Sequence, residues 1–347
     1  MTFLLRSNLL LHTLRYLRPR QIAGRAWHRL HSPHVRFLSA PPARSPTAQW
    51  ITSIERDPFQ HGPDQFMLLN EDGRLSGPEA WNNPAYSKLW LYHLHYFDDL
   101  NAWEADGRTN WHQALIARWI AENPVGHGNG WEPYPLSLRI VNWVKWSLCG
   151  HELQTEWLDC LAMQVRYLHK SLEYHLLGNH LLANAKALVF AGLYFSGDEA
   201  DGWLERGMAI LRKELAEQVL DDGGHFERSP MYHAIIYEDV LDLINLSRVS
   251  ASVVEPESVA QWKNLAQRMG QWLQVMSHPD GEIGFFNDAA MRMAPRPGDL
   301  YAYMERLDLA LKPPPGYFLQ SSGHVRLEND AAVALLDVAP IGPDYLP

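Results

Sequence analysis

The stretch LLGNHLLANAKALVFAGLYF, residues 176–195, decides the architecture. Gly178 permits a sharp turn near its start. From His180 onward, apolar residues recur at three- and four-residue steps, the period of a packed helix. The same period runs through 112–122, 135–149, 154–172, 200–220, 232–248, 257–277 and 298–311. The breaks between these segments are short: Gly150-His151, Gly197-Asp198 and the run Asp221 to Gly224. Helices joined by such short connections form antiparallel hairpins. A layer of hairpins closes into a toroid or extends as a solenoid, and no repeat of fixed length chooses between them.

The grammar changes outside this body. After Pro313-Pro314-Pro315 come GYFLQSS, HVRLEN and AAVALLDV, short and turn-bounded, which read as strands. Three strands have little core of their own, so they pack on the helices or begin a sheet domain. Residues 50–80 show little periodicity, and the compact body starts near 78. Upstream, the first acidic residue is Glu55, preceded by eight arginines from Arg6 to Arg44. Leu9-Leu10-Leu11 is too short to span a membrane, and no cleavage site follows it. This arm reads as two short amphipathic helices broken at Pro19, suited to a membrane surface or a partner, or else packed on the body with arginines outward. Residues 38–48, LSAPPARSPTA, read as a linker. The expected division is therefore 1–48 arm and linker, 49–312 helical domain and 313–347 strands. The absence of a signal peptide favours a cytoplasmic location, with a periplasmic or membrane-peripheral one as the alternative.

Composition sets outer limits. The 347 residues are 46% apolar, which excludes whole-chain disorder. Lys and Arg number 30 against 40 Asp and Glu, a net charge of −10 that argues against a general nucleic-acid binder. Cys149 and Cys160 are too few for a disulfide framework or a zinc site and read as ordinary buried thiols. Fourteen Trp and 14 Tyr suit either a groove that stacks on sugar rings or a core with bulky filler. The phosphate-loop, dinucleotide, zincin and serine-hydrolase motifs are missing, and no cofactor or metal is implied.

Four polar clusters are candidates for chemistry. DGGHFERSPMYH, 222–233, packs His225, Glu227, Arg228, Ser229, Tyr232 and His233 into one turn and helix start. Ser229 reads as an N-cap with Pro230 at the first helical position. Tyr232 then lies near the positive end of the helix dipole, which would ease its deprotonation; an ordinary capped helix start also fits. In EYHLLGNHLLANAKAL, 173–188, His180 and Asn184 share a helical face, and Asn179 offers a neutral amide donor for an oxyanion or carboxylate. A buried network between helices fits these residues too. In GNGWEPYPLSLRIVNWVKW, 128–146, Trp131, Tyr134, Trp143 and Trp146 surround Glu132, Arg139, Asn142 and Lys145. That mixture suits an acidic saccharide, or a Trp-rich core. In LWLYHLHYFDDL, 89–100, His93 and His95 would point to different faces of a helix, so His95 is read as a groove residue and not a metal ligand.

Taken together, WEPYPLSLRIVNWVKW, LLGNHLLANAKALVFAGLYF and LAEQVLDDGGHFERSPMYH resemble the bacterial heparinase II/III-like polysaccharide lyases, over roughly residues 85–347. The arm segment RYLRPRQIAGR also looks like that of members found with exopolysaccharide genes. The resemblance implies a mainly α fold: an incomplete (α/α) toroid of helical hairpins, then the first strands of an antiparallel β-sandwich, truncated at Pro347. It matches Asn179, His180 and Tyr232 to the family's catalytic residues, and implies that a further family histidine falls beyond Pro347.

The implied reaction is β-elimination on a uronic-acid polysaccharide. Asn179, helped by Arg139 or Arg228, would stabilise the charge on the sugar carboxylate. Tyr232 would be the acid, and the base as well in a syn geometry, with His180 as the rival base. Trp131, Glu132, Tyr134, Arg139, Asn142, Trp143, His95, His225, Glu227, Arg228 and His233 would line the substrate groove. Arg139, Lys145, Arg166, Lys186 and Arg228 would make it locally positive despite the acidic chain. The alternatives are a non-catalytic glycan-binding component of exopolysaccharide assembly, or a glycoside hydrolase using two of Glu132, Glu227 and Asp288.

Overall fold

The computed structural model describes residues 12, 14–31 and 33–346. The named helices are α1 (Pro19–Leu30), α2 (Lys88–Tyr96), α3 (Thr109–Glu122), α4 (Pro133–Leu148) and α5 (Thr155–Lys170). They continue as α6 (Gly178–Tyr194), α7 (Asp198–Gln218), α8 (Pro230–Val249), α9 (Pro256–Val275) and α10 (Pro297–Arg306). Short connections fold neighbours back on one another, and α6 with α7 makes the most extensive contact. Gly192 permits that approach: a Cβ there would lie 2.7 Å from Leu204 Cβ. Helices α4, α6 and α8 form the inner wall, and the product is an incomplete (α/α) toroid.

The indoles fill this body. Trp81, Trp90, Trp119, Trp143, Trp146 and Trp272 are fully buried. These six indoles are therefore core and not groove. Each fully buried aromatic side chain contributes about 2–3 kcal/mol of transfer free energy, so these six together supply on the order of 15 kcal/mol, a modest part of a total burial term of order 10² kcal/mol.

Two small sheets attach to the helices. Strands β1 (Gln60–Gly62), β2 (Gln65–Leu68) and β3 (Glu71–Arg74) form an antiparallel meander. Phe66 and Leu68 bury its inner face, and Trp90 of α2 donates from Nε1 to Glu71 O at 3.1 Å. This meander went unseen in the sequence because its strands are short and largely polar. Strands β4 (Phe318–Leu319), β5 (His324–Glu328) and β6 (Val333–Asp337) make the expected antiparallel sheet after the prolines. It seats on α9 through Leu319, Trp272, Val275 and Met276.

The segment read as a linker lies along the body. Ala40 N donates to Asp159 Oδ1 (2.7 Å), Arg44 N to Tyr194 O (2.7 Å) and Thr47 N to Val249 O (2.8 Å). The last two acceptors are carbonyls at the C-terminal ends of α6 and α8, groups that have no partner within their own helices. Arg166, expected in a positive groove, instead holds Leu38 O and Ser39 O and pairs with Glu199. Helix α1 also packs on the body, and the first arm helix expected from sequence falls mostly outside the described residues. Cys149 is exposed and Cys160 partly so, and both are free thiols. No described helix is long and apolar enough to cross a membrane.

Candidate active site

Three helix starts converge on one cavity. Pro133 opens α4, Gly178 opens α6, and Ser229 with Pro230 opens α8. Ser229 caps α8 as the sequence suggested, accepting from Tyr232 N at 3.4 Å. Leu177 and Gly178 both have positive φ, 68° and 56°, and this bend aims Asn179 and His180 inward. The cavity measures about 410 Å3, and Tyr134, Asn142, Asn179, His180, Tyr232 and Asp288 line it. Residues from the first turns of these three helices thus border a space large enough for a sugar unit.

His180 is held in one orientation. Its Nδ1 lies 3.1 Å from Glu173 Oε1, and its ring packs 4.4 Å from that of Tyr134. The buried Glu173 is fixed in turn: Asn184 Nδ2 donates to Oε2 at 3.1 Å, and Glu173 N donates to Asn184 Oδ1 at 2.8 Å. A neutral imidazole that donates from Nδ1 to a carboxylate presents the Nε2 lone pair to the cavity. Sequence reading missed Glu173. It lies outside the helix, seven residues before His180, where helical spacing gives no signal. Asn184 belongs to this support and not to the cavity wall.

Tyr232 faces the same space, with its hydroxyl 3.4 Å from Asp288 Oδ2. Burial, then the carboxylates of Glu227 and Asp288, push the phenol up to about 12. The eased deprotonation expected from the helix dipole is therefore reversed: burial, with Glu227 and Asp288 adding to it, outweighs the roughly half elementary charge of the helix start. Glu227 stands at the same corner, since a Cβ on Gly178 would lie 3.7 Å from its Oε1. Burial first, and then Asp288, raise its carboxyl to about 7.

The far end of the cavity holds paired charges. Arg56 binds Glu238, Lys145 binds Asp242, and Lys186 bridges Asp239 and Asp242 at 2.6 Å each. The lysines expected to make a positive groove are present but neutralised. His93 lines this end, while His95 faces the core, the opposite-face placement expected of a helix.

Several expected groove residues are core residues. Arg139 is fully buried, stacked on Trp119, with its donors taken by Gln164 Oε1, His95 O and Gly130 O. Desolvation lowers its pKa to about 9. Trp143 packs edge-on against Trp119 and Phe97, and Trp131 donates to Asn123 O behind the cavity wall. His95 accepts from Trp119 Nε1 and bonds Trp81 O, while His233 stacks on Trp272 and bonds Met269 O. His225 lies against Gln218, 6.4 Å between rings from Tyr232. Burial drives all three imidazoles down to about 3, so they are neutral packing groups. Arg228 sits at positive φ in the loop below Tyr232, outside the cavity lining. Glu132 lies at the rim, bonded to Tyr92 and paired with Lys88 at 2.9 Å.

A neutral amide, an oriented imidazole and a protonated phenol around one sugar-sized space are the tools of proton transfer at carbon, on a helical toroid. The chain belongs to the heparinase II/III family: the family model "Heparinase II/III N-terminus" matches residues 81–301. It is similar to the heparin-sulfate lyase of Pedobacter heparinus, 28% identical over 185 residues, which are 49% of this chain and 27% of that protein. The heparin-sulfate lyase of Bacteroides thetaiotaomicron is 24% identical over 229 residues, covering 60% and 32%. The chain thus spans a third or less of the curated relatives it matches. Among solved structures, a heparinase III superposes with a TM-score of 0.61 at 18% identity, covering 93% of this chain and 58% of that one. A heparan sulfate lyase HepC from Pedobacter heparinus gives 0.52 at 20% identity, covering 94% and 57%.

Proposed function

We propose that the cavity cleaves a 4-linked uronic-acid polysaccharide by β-elimination, as the heparin-sulfate lyase relatives suggest. The observation that carries this reading is the shared cavity of Asn179, His180 and Tyr232, with Glu173 fixing the imidazole. His180 Nε2 takes the C5 proton, and the C–H electrons form the C4–C5 double bond. Charge passing to the C6 carboxyl group meets the Asn179 amide and the starts of α6 and α8. The C4–O4 bond breaks with its electron pair going to O4, which Tyr232 protonates. A phenol raised to about 12 is a donor at neutral pH, so the elimination assigns acid to Tyr232 and base to His180. Tyr134 offers a ring contact to the sugar, while the Asn142 amide is spent on Tyr96 O and Asp98 Oδ1 and shapes the wall.

A polymeric substrate favours a place at the cell envelope, with the basic arm as a peripheral contact. The test is a screen of the full chain against several uronic-acid polymers, following ultraviolet absorbance of the new double bond, with Tyr232→Phe as control. Unsaturated ends that vanish in the variant support the reading. Saturated ends indicate hydrolysis, and glycan binding without cleavage indicates a carrier; either outcome overturns it.

A further inference from the structure

Helix α1 is built inside out. Its body-facing residues are Gln21, Gly24 and His28, one stripe at helical spacing. Gln21 is fully buried and donates to Leu176 O (3.4 Å) and Tyr345 O (3.1 Å). Gly24 lies so close to the body that a Cβ would come within 2.8 Å of His175 N. His28 stacks on His175 at 4.4 Å. At the helix start, Arg18 and Arg20 are held by Glu217 and Glu214. Polar contacts and one glycine thus dock this helix.

The apolar stripe points the other way. Ile22, Ala26 and Leu30 recur at four-residue steps on the opposite face, with Ile22 45% and Leu30 88% exposed. Trp27, 60% exposed, borders this stripe on one side, and the exposed Arg25 and Arg29 border it on the other. A helix of a globular body normally turns its apolar stripe inward. Just beyond α1, Arg36, Phe37 and Leu38 are exposed as well.

We infer that this face of α1 docks on an anionic lipid bilayer. Charge selects the occupant. The first 54 residues carry eight arginines and no carboxylate; Arg18, Arg20 and Arg44 pair with carboxylates of the body, while Arg25, Arg29 and Arg36 are exposed. An aliphatic stripe bounded by arginines and a tryptophan matches a helix lying in the bilayer interface: acyl chains receive the stripe, headgroup anions the guanidiniums, and the indole sits at the boundary. Because Gln21 and Gly24 fix α1 against residues 175–176, the bound protein would hold the Asn179–His180 corner at a constant height above the lipid. The inference does not depend on the lyase reading.

The experiment is flotation of the full chain, without glycan, on phosphatidylcholine vesicles and on an equimolar phosphatidylcholine–phosphatidylglycerol mixture. The protein should float with the anionic vesicles only, and high salt should release it. Each arginine at an anionic surface contributes about fivefold to partitioning, so Arg25→Glu with Arg29→Glu should lower binding on the order of 25-fold or more. Ile22→Ser with Leu30→Ser should lower it as well. All four side chains are exposed, and unchanged thermal melting would show that the fold is kept. Absent flotation, equal flotation on neutral lipid, or flotation that neither double variant reduces overturns the inference. So does a dimer in solution that the Ile22→Ser, Leu30→Ser variant dissociates.

Discussion

Glu227→Gln should stabilise the protein at alkaline pH and leave it unchanged in acid. Glu227 is shielded from water and faces Asp288, so its carboxyl titrates near 7 instead of 4.5. A raised folded-state value means that the folded protein holds this proton more tightly than the unfolded chain. Below about 4.5 both states are protonated, and the wild type bears no penalty. Between 4.5 and 7 the unfolded state loses its proton first, and stability falls as pH rises. Above 7 the full penalty is present. At about 1.4 kcal/mol per pKa unit, that penalty is about 3 kcal/mol. Glutamine keeps the shape without the charge. Urea unfolding across this pH range should therefore show a difference near zero at the acid end that grows to about 3 kcal/mol in favour of the variant. A difference that does not vary with pH, or a variant less stable than wild type above pH 7, would refute the placement of Glu227.

Two further substitutions separate support from packing. Glu173→Gln removes the anionic partner of His180 Nδ1 and should lower kcat on the order of 10²-fold with KM nearly unchanged, measured on whichever uronate polymer the screen identifies. Arg139→Ala strips donors from Gln164, His95 O and Gly130 O, each loss costing about 1–3 kcal/mol, and should destabilise the fold by at least about 3 kcal/mol in chemical denaturation. Glycan affinity of the folded Arg139→Ala fraction should stay at the wild-type level; a weakened affinity would return Arg139 to the groove.

Much of the fold was legible because helical period and cap chemistry are local. The spacing in 176–195 and the Ser229-Pro230 start act within a few residues, and both appear in the structure. Inference from residue type to environment succeeded for Tyr134, Asn142, Asn179, His180 and Tyr232, which line the cavity, and failed for the rest of the expected groove. Trp131, Trp143 and Arg139 share the composition of a sugar groove, but helical spacing does not say which neighbour a face meets, and here that neighbour is Trp119. The Tyr232 ionisation was misjudged because burial, which no local spacing reveals, dominates it, with Glu227 and then Asp288, 56 residues away, adding to the shift. Glu173 was invisible for a related reason: its role arises where the chain bends at Leu177 and Gly178, outside any periodic segment. Residues 38–48 read as a linker because their partners are helix-end carbonyls far along the chain.

The central claim is that one cavity brings Asn179, His180 and Tyr232 to the same sugar. A crystal structure of the chain with a uronate oligosaccharide tests it directly. The account predicts the sugar carboxylate on Asn179, C5 facing His180 Nε2, and the Tyr232 hydroxyl within about 3 Å of the glycosidic oxygen. A sugar seated instead beside Trp119 and Trp131, or one that touches neither His180 nor Tyr232, would contradict it.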